Sequence, residues 1–522
     1  MQMHESLGPG QLLSKLPQSR WALPILISVG LVIPCFWRPI VSSVDLQSHL
    51  YNAWLAELIH SGTVSGLWIG HQSTNIVVDM LLPSLLKALG VSGAERVVTT
   101  ALVLIFFWGA FRFISSARGQ SVYWLLPWLA ILSYGFVFQC GLLNYYLSCG
   151  IVLWLLAILW NQRLRLRMLW FAPLLILAYL AHPLPVLWFF GVAAYCQLAQ
   201  RLQIRFQILL FIGSAIVICL IRTYIVAKYL TIWMPRQLVY WTGADQALLY
   251  GWLYSAVALG LLLFSVILLS QPENRWQAIA SVPAQAYLLT AIAIVLVPSA
   301  FRASIEEGWA SRIADRLSLL SGVLLLAIVA RSSYRRWYLP AGLVAAAIFF
   351  AVLHSDIGRE AAVVARMQML VQALPTGERV VWYDHAADVE QLTDHSRLSP
   401  IFTNRLNSKH LLSRACLGHC FDYMNYEPST GQFRIHATPG NSVVVASYSN
   451  VVDMMDGTYA AKASDLPLFV LLGCGPGPGD IRMLPLSRGE SSEMLACPGA
   501  GKGVMSSLRS AFRVRSSRSF VH

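Results

Sequence analysis

Acidic residues are scarce in this sequence. Its 522 residues include 25 Asp and Glu, and none of them falls between Glu95 and Asp245. Charged residues of both signs make up 12%, against 57% hydrophobic, where soluble domains average about 25% charged. So long a stretch without a carboxylate excludes a water-facing fold for the first two thirds of the chain and leaves a bilayer as its solvent. The 38 Lys and Arg give a net charge of +13. This excess is not a nucleic-acid surface, because the arginines fall in short clusters between apolar runs, as topology signals do. The last of them (Arg509, Arg513, Arg515, Arg518) read as a disordered tail. Internal repeats, a long low-complexity linker and the CxxC spacing of zinc sites are also absent.

Apolar runs of about 17–25 residues mark membrane spans. Eleven are expected, near 21–38, 97–115, 121–137, 143–160, 168–181, 184–200, 206–222, 248–270, 280–299, 315–331 and 337–353. His182-Pro183-Leu184-Pro185 reads as a turn between the fifth and sixth, with a kink as the alternative. The first run is too long for a cleaved signal and reads as an anchor. Lys15, Arg20, Arg112, Arg118, Arg163, Arg165, Arg167, Arg201, Arg205, Arg275, Arg331, Arg335 and Arg336 fall on alternate loops, which puts those loops and the N-terminus inside. An odd number of spans then places residues 354–522 outside. The expected fold class is an α-helical polytopic membrane protein with a small extracytoplasmic α+β domain. Its parts are a cytoplasmic segment 1–20, a membrane domain 21–354 with a first outer loop 39–96, a periplasmic domain 355–505 and a tail 506–522. The expected location is a bacterial inner membrane.

Five cysteines (Cys35, Cys140, Cys149, Cys196, Cys219) lie in or beside spans, and four (Cys416, Cys420, Cys474, Cys497) lie in the terminal domain. Four in an oxidising compartment predict two disulfides, in any of three pairings. A four-thiolate zinc site and four buried thiols are the competing readings. Arg379-Val-Val-Trp-Tyr, Gln432-Phe-Arg-Ile-His and Ser442-Val-Val-Val-Ala read as short strands. Residues 357–374 read as a helix that can continue from the last span.

The first outer loop is patterned. Leu46, Leu50, Trp54 and Leu58 recur at four-residue steps and give one apolar stripe. A second apolar segment, Ile76–Leu89, is interrupted by Asp79, Pro83 and Lys87. Both read as helices lying at the membrane interface. Asp45 opens the first, where a carboxylate favours the helix dipole. As an outward-facing carboxylate it is also a candidate catalytic base.

A span, an outer loop opening on an acidic residue, two membrane-lying helices, a multi-span body and an outer domain together resemble the GT-C glycosyltransferases. That family includes protein O-mannosyltransferases, lipid A aminoarabinose transferases and oligosaccharyltransferase catalytic subunits. The resemblance covers residues 20–355 and lies in layout. It implies a polyprenyl-phosphate-linked sugar donor, an acceptor on the outer face and a first-loop carboxylate, here Asp45, acting as base or metal ligand. The family's Asp-x-Asp and paired Asp-Glu patterns are absent, and the local pattern is Asp45-x3-His49. A divalent cation is therefore compatible with the sequence but not required by it.

Such a transfer needs a base at the acceptor hydroxyl and cations at the leaving phosphate. His49 stands one helical turn from Asp45 and can share its cleft; its plainer reading is a hydrogen-bonded interface residue. Asp79 is a second carboxylate or simply the polar face of its helix. Arg222, Lys228 and Arg236 lie among Tyr224, Tyr229, Trp233 and Tyr240. Arg302, Arg312 and Arg316 lie among Glu306, Glu307 and Asp315. Both clusters fall on loops where the positive-inside rule expects few arginines. Of the phosphate-binding candidates Arg302, Arg312, Arg316, Arg222, Lys228 and Asp79, the i,i+4 pair Arg312 and Arg316 suits a phosphate clamp best. Snorkelling at the membrane edge is the alternative. The sequence motif Asp422-Tyr-x-Asn425-Tyr-Glu-Pro matches no known activity. Three other functional readings are a transporter or flippase, a non-catalytic envelope-polysaccharide assembly protein, and a cysteine enzyme using Cys140 or Cys149. No Asp, Glu or Lys occupies the centre of an expected span, which disfavours an ion-coupled carrier.

A reporter fused after residue 360 should be active only in the periplasm and one fused after Arg165 only in the cytoplasm. The reverse pattern would overturn the orientation drawn from the positive loops.

Overall fold

The structure, a computed structural model, describes residues 22–41, 43–160, 170–249, 252–271, 278–302, 309–384, 405–430, 433–438, 441, 443–444, 448–455, 457–475, 477–492, 495 and 497. Lys15, Arg20, Arg163, Arg165, Arg167, Arg275, Glu306, Glu307 and the basic tail lie outside these residues. The chain forms two compact units. The first is Met1–Val364 with Glu427–Asn441, and the second is Ala365–Tyr426 with Ser442–His522.

The first unit is helical. It opens with α1 (Ala22–Val32), α2 (Val44–His60), β1 (Leu67–Ile69) and α3 (Val77–Arg118). Then come α4 (Leu126–Ser133), α5 (Phe136–Gln139), α6 (Leu143–Trp160), α7 (Phe171–Ala181), α8 (Pro183–Ala199) and α9 (Ile204–Lys228). Next are β2 (Leu230–Ile232), α10 (Gln237–Tyr240), α11 (Trp252–Leu269), α12 (Val282–Leu296), β3 (Ala300–Arg302), β4 (Trp309–Ala310) and α13 (Ile313–Val329). Helix α14 (Tyr338–Val371) fuses the last expected span with the helix expected after it.

Five of the described helices, α3, α6, α9, α11 and α14, are long and apolar enough to cross a membrane. Helix α9 buries no residue along its whole length, with Ile208, Leu209, Ile216 and Leu220 all exposed. An unburied apolar helix of that kind belongs in lipid. The described chain is thus a helical membrane protein.

Several expected spans are interrupted. The run 121–137 is two short helices broken at Tyr134-Gly135, where a Gly135 side chain would collide with Gln246. At 168–200 the helix stops, His182 is extended (φ −166°, ψ 130°), and α8 restarts on Pro183. Proline suits that first helical position because its missing N–H is not needed there. Segment 76–89 and span 97–115 are merged into α3, with Gly90 at φ 66°, ψ 179° breaking it, a backbone state open essentially only to glycine. Helix α2 also departs from the single stripe expected. Val44 and Leu46–Ala53 are all buried, Gln47, Ser48 and His49 among them, because these polar groups find partners inside the protein.

Helix α6 sits at the centre of the unit. It crosses α3 at Gly109 and Gly150, where a Cβ on Gly150 would lie 2.9 Å from the Phe106 backbone. Small residues let two helices approach this closely.

The second unit holds β5 (Arg379–Asp384), α15 (Arg405–Cys416), β6 (Phe421–Asp422), α16 (Tyr448–Met455), β8 (Leu468–Gly473) and β9 (Ile481–Leu486); β7 (Ile435–Ala437) belongs to the first unit. The sheet order is β6-β5-β8-β9, with β9 antiparallel and the rest parallel. The strand expected from Arg379 is present as β5, and its four central residues are buried, as a strand covered on both faces requires. The strand expected at Gln432–His436 occurs as β7 and pairs antiparallel with β1. Val443 and Val444, expected in a strand, lie in bends, and the rest of that stretch up to Ala446 lies outside the described residues. The four cysteines pair as Cys416–Cys420 and Cys474–Cys497.

Proteolysis without reduction, followed by mass spectrometry, should yield a linked peptide pair for Cys474–Cys497 and an internal bridge for Cys416–Cys420. Free thiols at all four positions, or a Cys416–Cys474 link, would overturn this pairing.

Candidate functional site

The start of α2 is held by buried polar contacts. Glu95, on α3 and 1% exposed, accepts the Val41 N–H at 2.8 Å and the Gln47 amide at 3.1 Å. The Asp45 N–H donates to the Cys140 carbonyl at 3.3 Å. Gly141 (φ +80°) lies against the Asp45 backbone with no room for a side chain. Asp45 is therefore fixed from both sides by backbone.

One turn on, His49 Nδ1 lies 2.6 Å from Asp79 Oδ1. The other Asp79 oxygen accepts from Asn144 Nδ2 at 3.1 Å, while Asn144 Oδ1 accepts the Val78 N–H at 2.9 Å. Asp79 is thus the partner of His49, not an idle polar face. The antiparallel pairing of β1 with β7 brings in Glu427, which is buried and accepts from Asn52 Nδ2. Arg434 Nη1 donates to the Asp79 carbonyl at 3.2 Å. His49, Asn52, Asp79, Glu427 and Arg434, with Gln72, Asn75 and Phe433, line a cavity of about 30 Å³.

Electrostatics divide the labour. Burial would depress the His49 pKa, but Asp79, with Glu427 and Asp45 further off, lifts it to about 9. His49 is therefore a cation and donor at neutral pH, not a base. Burial raises the Glu427 pKa to about 7 against the pull of His49, so Glu427 exchanges its proton near neutrality. Burial pushes the Cys140 thiol up to about 12, which leaves almost no thiolate and removes Cys140 as a nucleophile.

Asp45 also lies within electrostatic range of Arg312 and Arg316. Arg312 caps α13 in the left-handed region (φ 57°, ψ 36°), with its guanidinium 5.6 Å from the Phe136 ring centre. Arg316 lies 5.7 Å from the Tyr145 ring centre, and its Nη1 is 3.2 Å from His182 Nε2. A guanidinium only donates, so Arg316 Nη1 donates to the unprotonated His182 Nε2. The buried Arg316 Nε has no partner among the described residues. This side chain is set for an acceptor that the described residues do not supply.

No protein-family model, curated protein or solved structure matches the chain.

The remaining candidates lie apart. Arg302 is on β3, which pairs with β2 and β4. Arg222 packs 5.6 Å from the Trp233 ring centre, and Lys228 is exposed and donates to the Tyr224 hydroxyl at 3.1 Å. The structure thus gathers Asp45, His49, Asp79, Arg312 and Arg316, while Arg302 lies on the small sheet β2-β3-β4 and Lys228 at the end of the helix that leads into it. No three of the described His, Cys, Asp and Glu side chains gather closely enough to hold a metal ion. Sequence reasoning missed Asn52, Asn144, His182 as the partner of Arg316, and Glu427. The one trace of Glu427 was the unmatched stretch from Asp422 to Pro428.

His49 is raised from 6.5 to about 9, so its stabilising contribution is complete below pH 6.5 and is lost as pH rises through about 9. Glu427 is raised from 4.5 to about 7, so its contribution is complete below pH 4.5 and is lost as pH rises through about 7. The melting temperature of the full chain in detergent should therefore fall from about pH 5 to about pH 9. In Asp79→Asn the fall above pH 7 should disappear. A wild-type profile that is flat above neutrality would rule out a charged His49.

Proposed function

We propose that the chain is a membrane glycosyltransferase of the GT-C kind. It moves a sugar from a polyprenyl-phosphate-linked donor to an acceptor on the extracytoplasmic face. In this reading the chain spans a bacterial inner membrane about eleven times, with its N-terminus in the cytoplasm and its terminal domain in the periplasm. The two disulfides support an oxidising location for that domain. The observation that carries the reading is the position of Asp45, which shares one electrostatic neighbourhood with Arg312 and Arg316 and with His49 and Glu427.

Asp45 takes the proton of the acceptor hydroxyl as that oxygen attacks the anomeric carbon. The bond from that carbon to the phosphate oxygen breaks, and the leaving phosphate gains charge. Arg312 and Arg316 stabilise that charge in a site of low dielectric. His49, held charged by Asp79, adds positive field beside Asp45.

A transporter is the second reading, favoured by one observation. Asp245 is buried beside Asp315, and burial together with that neighbour raises its pKa to about 8, so it takes up and releases protons near neutral pH.

Asp45→Asn keeps the size and most hydrogen bonding but removes the base. Transfer or hydrolysis of polyprenyl-phosphate sugars by the purified chain should fall about 10²–10⁴-fold, at an unchanged membrane level. Arg316→Ala should weaken donor binding as well as rate. Unchanged turnover in Asp45→Asn would remove this mechanism. Failure of the wild type to bind donor, together with proton uptake that is lost in Asp245→Asn, would favour the transporter.

A further inference from the structure

Beside the path from α1 to α2, Trp37, Arg38 and His354 meet. Arg38 Nη2 lies 2.9 Å from His354 Nε2, and the Trp37 and His354 rings stand edge to face at 4.8 Å. Gly358, one turn along α14, is so close that a Cβ there would lie 2.8 Å from Arg38 Nη2. The helix is therefore relieved of a side chain where the guanidinium lies.

The hydrogen bonding of this group is one-sided. A guanidinium only donates, so His354 Nε2 must accept, and a neutral ring then carries its proton on Nδ1. That Nδ1, Trp37 Nε1 and Arg38 Nε are all buried, and none has a partner among the described residues. Three N–H donors and one positive charge thus share a small volume without an acceptor. The ion pairs among the described residues are His49–Asp79 and Asp356–Arg359, and neither reaches Arg38. Buried donors are nearly always satisfied in folded proteins, and a set left open in one place calls for an external acceptor.

We propose that Trp37, Arg38 and His354 bind a phosphate-bearing anion, and that the source is a phospholipid headgroup. A phosphodiester brings one negative charge and two free oxygens, which matches one guanidinium and three donors. The surroundings favour a lipid. Ile33 and Phe36 beside the group, and Leu343 and Val344 on α14, turn large apolar surfaces outward, where acyl chains would lie. Arg96 lies 5.8 Å from the Phe36 ring centre and adds a second cation at the same edge. The site is separate from Asp45 and its arginines and does not depend on the glycosyltransferase reading.

The test uses the full chain, purified in detergent and stripped of lipid, with melting temperature and native mass spectrometry as readouts. The probes are dioleoyl phosphatidylglycerol, dioleoylglycerol (the same chains without phosphate) and inorganic phosphate. Phosphatidylglycerol should raise the melting temperature and remain bound, and dioleoylglycerol should do neither. Arg38→Gln should weaken this binding about tenfold, the loss of one charge-assisted contact. Trp37→Phe, which keeps a ring but loses a donor, should weaken it less and serves if Arg38→Gln does not fold. Inorganic phosphate acting alone, with the same sensitivity to Arg38, would support the anion site and assign its source to solution. Stabilisation by neither phosphate compound, equal stabilisation by dioleoylglycerol, or binding that survives both substitutions would overturn the site.

Discussion

A hydrocarbon core offers no hydrogen-bond partner, so every break in a spanning helix must be satisfied from within the protein. The breaks among the described helices follow that constraint, and one of the polar groups that heals them, Asn144, also belongs to the site. Where α7 ends at His182, the freed carbonyl accepts from Ser148 at 2.9 Å. At the break after α4, Gln246 Oε1 takes up the Val137 N–H at 3.2 Å, and Gln139 donates to the Tyr134 carbonyl at 3.3 Å. Asn144 caps the start of α3 through Val78 and also holds Asp79. Polar side chains are rare in an apolar body, and several of those present close helix ends.

This is why half of the architecture was legible in the sequence. Helices α6 and α9 and the first half of α14 are apolar runs that the sequence shows directly. Strand β5 follows from four residues of strong β character, Val380 to Tyr383. Asp45 was visible because it is the first acid after the first apolar run. The interruptions were less legible. Gly90 and Gly135 are small residues within apolar segments, and their effect depends on backbone conformation or on a neighbour far along the chain. The burial of α2 on nearly all sides was less legible because Gln47 and His49 look solvent-facing until Glu95 and Asp79 are known to meet them.

Glu427 was beyond reach for a different reason. It is 375 residues from Asn52, its hydrogen-bond partner, and it is flanked on both sides by sequence of the second unit. Nothing in its local pattern announces that the segment leaves that unit to pair β7 with β1. What sets its pKa is burial together with three charged groups from α2 and α3, and none of these can be read without the fold. The result is an electrostatic division the sequence could not supply. His49 carries a fixed positive charge, and Glu427 carries a proton that moves near neutral pH.

Backbone strain points to the same region. Asn75 (φ 60°) and Arg312 (φ 57°) are the non-glycine residues with positive φ among the described residues, and each such residue costs about 1–3 kcal/mol. Asn75 immediately precedes α3, lines the cavity and accepts from Asn144 through its carbonyl. Arg312 caps α13, one turn before Arg316. Glycine or a freer residue at either position would relieve the strain without altering the course of the helices. Asparagine suits the left-handed region better than most side chains, whereas arginine gains nothing there from its own backbone. Its side chain, laid against Phe136 and within range of Asp45, is the feature a glycine would forfeit. The strained residues thus open the two helices that present Asp79 and Arg316, which makes the unfavourable backbone at Arg312 an argument for the charge it holds in place.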